Sequence, residues 1–123
     1  MKNDKVYIEH ILEAIQTIET YKQGLDFEAF LKNKMASDAI IRELEIIGEA
    51  SNNISEQFQK KHADVPWRKI IGIRNTLIHE YFGINKKVVW DAVENDLPEL
   101  KKFIAAIIWL FQWGTPLEGV FCF

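Results

Sequence analysis

Apolar residues recur along this chain at spacings of three and four, and no stretch alternates convincingly with period two. On a helix that spacing draws one continuous stripe, whereas a half-buried strand needs alternation. The expected fold class is therefore all-α, an up-and-down bundle of four to five helices whose stripes meet in one core. Asp4 is placed to cap a first helix running to about Lys22, with Val6 or Tyr7, Ile11, Ile15 and Ile18 on its stripe. Gly24 breaks that helix, and residues 26–31 form a short helix or turn. A second long helix starts at Ser37 or just before it and carries Ile40, Ile41, Leu44, Ile47 and Ile54. Residues 55–62 either extend it or turn separately.

Val65-Pro66 marks the next break, with Pro66 at the first position of a helix from about Trp67 to Tyr81 that stops at Gly83. A last helical stretch covers residues 86–113. Pro98 falls inside it, and Asn95 or Asp96 is placed to cap a restart. Residues 1–113 are read as one helical domain. Residues 114–123 are a C-terminal tail without an assigned element.

A chain of 123 residues, 48% of them apolar, can bury one core. The net charge of −3 and pI near 5.6 argue against a protein that coats nucleic acid through a general basic surface. Cys122 is the one cysteine, so neither an internal disulfide nor a zinc site follows from it. No cofactor motif appears, and no His, Asp and Glu cluster has metal-ligand spacing. The N-terminus lacks a signal-peptide core, and the longest apolar run, residues 103–111, is about half a membrane span. A cytoplasmic location without a membrane segment is expected.

The helix beginning at Trp67 holds the anomaly. Projected at about 100° per residue, Ile70, Ile71, Leu77, Ile78 and Phe82 all fall on the same side as Arg74. Tyr81 lies nearly above Arg74. Asn75 and His79 share a second line at the stripe's border, while Lys69, Thr76 and Glu80 point to water. An arginine within an apolar stripe is costly unless it is paired. One reading pairs it with a carboxylate on the second helix, Glu45 or Glu49, as a structural ion pair. The other places the stripe against a second subunit and leaves a polar cleft there, in which Arg74 binds a phosphate. The residue types suit RNA cleavage by the 2′-hydroxyl: histidine as a residue type can move protons near neutral pH, a role open to His79, and Arg74 supplies a cation for the phosphorane.

Arg74-Asn75-Thr76-Leu77-Ile78-His79-Glu80-Tyr81 resembles the Arg-Asn-x3-His-x-Tyr signature of ribonucleases of the HEPN superfamily. The likeness to its HepT-like toxins extends through Ile46-Ile47-Gly48-Glu49-Ala50, Val65-Pro66-Trp67, Ile70-Ile71-Gly72, His79-Glu80-Tyr81-Phe82-Gly83, Val89-Trp90 and Asp96-Leu97-Pro98, in order over residues 4–108. The resemblance implies a toxin endoribonuclease that needs no metal and acts as a homodimer. Two facing motifs would build one composite cleft, with Arg74, His79 and Asn75 as catalytic residues. It further implies a partner antitoxin, a nucleotidyltransferase of MNT type, which can transfer AMP to Tyr81. The tail from residue 114 has no counterpart in the resemblance.

Around that motif, Lys60, Lys61, Arg68 and Lys69 read as a solvated patch, or more sharply as an RNA-phosphate track through Arg68 and Lys69. His10 and His62 are read as surface residues. Trp67, Trp90 and Trp109 are read as core. Two other functions compete: a non-catalytic helical partner of a nucleotidyltransferase, and a small-ligand-binding bundle. The intact Arg74 and His79 favour the enzyme over the first, and the lack of a cofactor motif counts against the second.

Overall fold

The computed structural model describes residues 2–79 and 85–113, with side chains at 4–77 and 85–113. Four long helices, α1 (Lys2–Lys22), α3 (Lys34–Asn53), α5 (Trp67–His79) and α7 (Leu97–Trp113), alternate with three of six residues, α2 (Phe27–Lys32), α4 (Glu56–Lys61) and α6 (Lys86–Asp91). The described residues contain no strand, as the spacing of apolar residues requires.

Polar caps set the breaks between these helices. Asp26 accepts from the Ala29 N–H at 2.8 Å, Asn33 from Ala36 at 3.0 Å and Ser55 from Phe58 at 3.1 Å, each satisfying a donor at the start of α2, α3 or α4. The second long helix therefore begins just before Ser37, and residues 55–62 hold a separate helix. Gly24 adopts φ +75, a conformation that closes the end of α1 without a Cβ penalty. Pro66 stands one residue ahead of α5, where its carbonyl accepts from Ile70.

Asp4 does not cap α1. It lies inside the first turn, buried, and its two carboxylate oxygens accept from the backbone N–H and the hydroxyl of Ser55, both at 2.8 Å. The start of α1 is thereby tied to the end of α3, so the two helices run antiparallel. Glu19, late in α1, meets Lys101, early in α7, at 3.0 Å, which makes that pair antiparallel too. Ile8, Ile11, Ile15 and Ile18 form the inner stripe of α1. Val6 is outside it, 45% exposed, and Tyr7 is half-buried, because Ile8 takes the inward position. Each buried isoleucine contributes about 1.5–3 kcal/mol. Opposite them lie Ile40, Leu44 and Ile47 of α3, Leu100, Ile104 and Ile107 of α7, and Phe30, whose ring is 5.1 Å from that of Trp90.

The passage through Pro98 differs from the expected capped restart. Helix α6 runs into a π-helical turn, Ala92–Asp96, and on into α7, the Leu97 N–H donating to Ala92. Neither Asn95 nor Asp96 acts as a cap. Proline has no N–H and its ring presses on the carbonyl four residues back. A turn one residue wider accommodates that ring while the helix continues. The Asp96 carboxylate turns instead to Lys69 on α5, 2.9 Å away. Trp67 and Trp90 are core residues, whereas Trp109 is 41% exposed, since it lies off the line of Ile104 and Ile107. No helix among the described residues is long and apolar enough to cross a membrane.

Candidate active site

Helices α3 and α5 touch at Gly48. A Cβ on that residue would stand 2.0 Å from the Cβ of Arg74, far inside van der Waals contact. The missing side chain lets α5 come close enough for Arg74 to lie along α3. There the guanidinium is gripped from two directions. One terminal nitrogen donates to Glu49 Oε2 at 2.6 Å, and the other to Asn75 Oδ1 at 2.8 Å. Two charge-assisted bonds at this length fix the plane of the group. Arg74 Nε is buried and has no hydrogen-bond partner, a state that costs about 1–3 kcal/mol for an ordinary donor. The side chain as a whole retains 25% exposure. It is an anchored cation at a surface, not a sealed core arginine.

That surface is an open groove of about 460 Å³ between α1, α3 and α5. Tyr7 and His10 line it from α1, Arg42, Glu45 and Asn53 from α3, and Arg74 from α5. The Tyr7 and His10 rings meet edge to face, 6.5 Å between centroids. Glu45 pairs with Arg42 at 3.5 Å, so Glu49 alone of the two candidate carboxylates holds Arg74. His10 is exposed, as its reading as a surface residue has it, and its place on the groove is what the sequence did not show. It sits far from Arg74 in the chain, and only the packing of α1 on α3 brings them to one groove.

The structure brings Arg74, Asn75 and Glu49 together. His79 is the last residue of α5, with its side chain outside the described set. Tyr81 and Gly83 lie outside the described residues, as does the tail 114–123. Lys69 does not reach the groove. It borders a separate cavity of about 140 Å³ between α3, α5 and the start of α7. The hydrogen bond and charge of Asp96 push its pKa up and keep the ammonium engaged there. Arg68 is exposed, with no ion pair among the described residues.

A helical bundle that carries Arg74, Asn75 and His79 on one helix, the arginine held beside an open groove, with Tyr81 completing the Arg-Asn-x3-His-x-Tyr motif in the sequence, defines a class by its fold and its motif together. The family model Ribonuclease HepT-like matches residues 11–107 of this chain. The chain belongs to the HepT-like ribonuclease family. It is 46% identical over 100 residues to a protein named "Probable ribonuclease HepT" from Thermococcus cleftensis, covering 81% of this chain and 91% of that one. It is 42% identical over 108 residues to one named "Putative RNase" from Caldanaerobacter subterraneus, covering 88% and 96%. No solved structure matches significantly.

Proposed function

We propose that this protein is a metal-independent endoribonuclease, the toxin of a toxin–antitoxin pair, which cleaves RNA in a composite cleft between two copies of the chain. The observation that carries the reading is the anchored Arg74. Its guanidinium stands at the edge of a groove, oriented by Glu49 and Asn75, and the side chain keeps 25% exposure there. An incoming phosphate oxygen offers guanidinium donors a better acceptor set than the single contacts they hold. Membership of a ribonuclease family gives that cation a substrate.

In this reading the 2′-hydroxyl attacks the adjacent phosphorus, its proton passes to a base, and the 5′-oxygen leaves with a proton from an acid. Arg74 stabilises the charge that builds on the non-bridging oxygens. His79 moves protons, and the second copy of the motif supplies the second histidine. Asn75 orients Arg74 through the bond described above. Tyr81 is the acceptor of AMP from a nucleotidyltransferase antitoxin, which would fill the cleft with a phosphate of the wrong place and charge.

The test is direct. The purified protein is incubated with RNA in excess EDTA, beside Arg74→Ala and His79→Ala variants whose folding is checked by circular dichroism. Cleavage by the wild type alone is expected. Equal cleavage by His79→Ala sinks the assignment of proton transfer, and cleavage that needs added metal removes metal independence. Co-expression with a neighbouring nucleotidyltransferase, followed by intact-mass analysis, should show an added AMP that Tyr81→Phe lacks.

A further inference from the structure

The groove beside Arg74 has more in it than a phosphate site requires. Its charged groups are already matched, Arg42 with Glu45 and Arg74 with Glu49. A lining with paired charges gives no general pull on a second phosphate. It does suit a neutral, flat group with donors and acceptors along its edge. Tyr7 is half-buried in the wall, where a ring keeps a fixed orientation at little entropic cost, and His10 meets it edge to face. The Asn53 amide and the Glu45 carboxylate line the same groove and can bond base edges. Its volume of about 460 Å³ falls within the roughly 300–1,000 Å³ of small-ligand clefts.

We infer that this groove is a nucleobase subsite, in which Tyr7 stacks on the base next to the phosphate held by Arg74 while Asn53 and Glu45 contact its edge. The identity of the ligand rests on the ribonuclease reading; the shape and chemistry of the groove do not. Base readout at this position would give the enzyme a sequence preference despite its net negative charge, because stacking and edge contacts act locally and need no basic surface.

The probe is a fluorescein-labelled, single-stranded 2′-O-methyl oligoribonucleotide, which cannot be cleaved by its own 2′-oxygen. Its binding is read by anisotropy with wild type, Tyr7→Phe and Tyr7→Leu. Phenylalanine keeps the π face, whereas leucine keeps apolar volume against the core and loses it. Tyr7→Phe should bind within twofold of wild type, and Tyr7→Leu about tenfold more weakly. Asn53→Ala should change the ranking of oligonucleotides that differ in one base. Equal binding by Tyr7→Leu and wild type overturns the subsite. So does a Tyr7→Leu chain that loses a wild-type dimer by light scattering, since the groove would then be covered by a second copy. If the wild type binds the probe with the expected Tyr7 dependence but cleaves no RNA, the ribonuclease reading falls and the base subsite stands.

Discussion

At the scale of single residues, Arg74 shows why a charge on an apolar stripe was the informative signal. Its position was legible from helical projection alone, and a carboxylate on the second long helix was a foreseeable partner. The choice of Glu49 over Glu45 was not legible, because it depends on where α3 crosses α5. That crossing is set by Gly48, and nothing in the local sequence distinguishes a close-approach glycine from a weak point in a helix. Gly48→Ala brings a Cβ to 2.0 Å from Arg74 Cβ, against a partner atom next to the backbone that cannot swing aside. The helices must part. A loss of about 1–3 kcal/mol is expected, read as a lower midpoint in urea, together with a fall in RNA cleavage larger than the stability change explains. Glu49→Gln is the contrasting case. Its carboxylate is 52% exposed, so the stability loss should stay below about 1 kcal/mol. Its effect should instead appear as reduced turnover, because an unanchored guanidinium no longer presents a fixed plane.

At the scale of helices, periodicity defined the elements, and the misses came from where side chains go at their ends. Asp4 had the composition of a cap but serves a long-range clamp on Ser55, a contact across most of the fold's first half. Asp96 had the look of a cap and instead bonds Lys69. Both carboxylates chose tertiary partners that no local window contains. Trp109 is a different failure: its position off the Ile104–Ile107 line was present in the sequence, and hydrophobicity was given weight over phase. Replacing Asp4 by alanine leaves the Ser55 N–H without its acceptor in a part-buried site, so a loss of about 1–3 kcal/mol is expected. Thermal unfolding measures it.

His62, at the end of α4, adds a pH dependence whose sign is fixed. Burial against Phe58, 4.5 Å away between ring centroids, and the neighbouring Lys61 lower its pKa from the ordinary 6.5. The folded form thus binds fewer protons than the unfolded form. Its contribution is complete above pH 6.5 and is lost as pH falls towards the lowered folded value. Urea midpoints for wild type should drop more between pH 7.5 and pH 5.5 than those of His62→Gln. Identical pH profiles would show that the imidazole is not linked to folding.

At the scale of the whole molecule, an acidic protein that cleaves a polyanion needs its positive charge concentrated in one place. A single chain offers one Arg74, already paired with Glu49, and one motif histidine. Two copies facing each other would double both in a single cleft and supply acid and base together. This arrangement makes a prediction that a one-chain site does not share. His79→Ala is expected to be inactive as a homodimer, because the acid and the base of the shared cleft are both lost. When wild type and His79→Ala are unfolded together and refolded at equal concentration, about half of the dimers formed by random pairing contain one chain of each kind. Such a heterodimer keeps only one of the two histidines that serve as acid and base. Activity per wild-type chain is therefore expected to fall to about half at one to one, and further as the variant is added in excess. If activity per wild-type chain stays constant at every ratio while native mass spectrometry confirms mixed dimers, each chain acts alone, and the shared cleft is excluded.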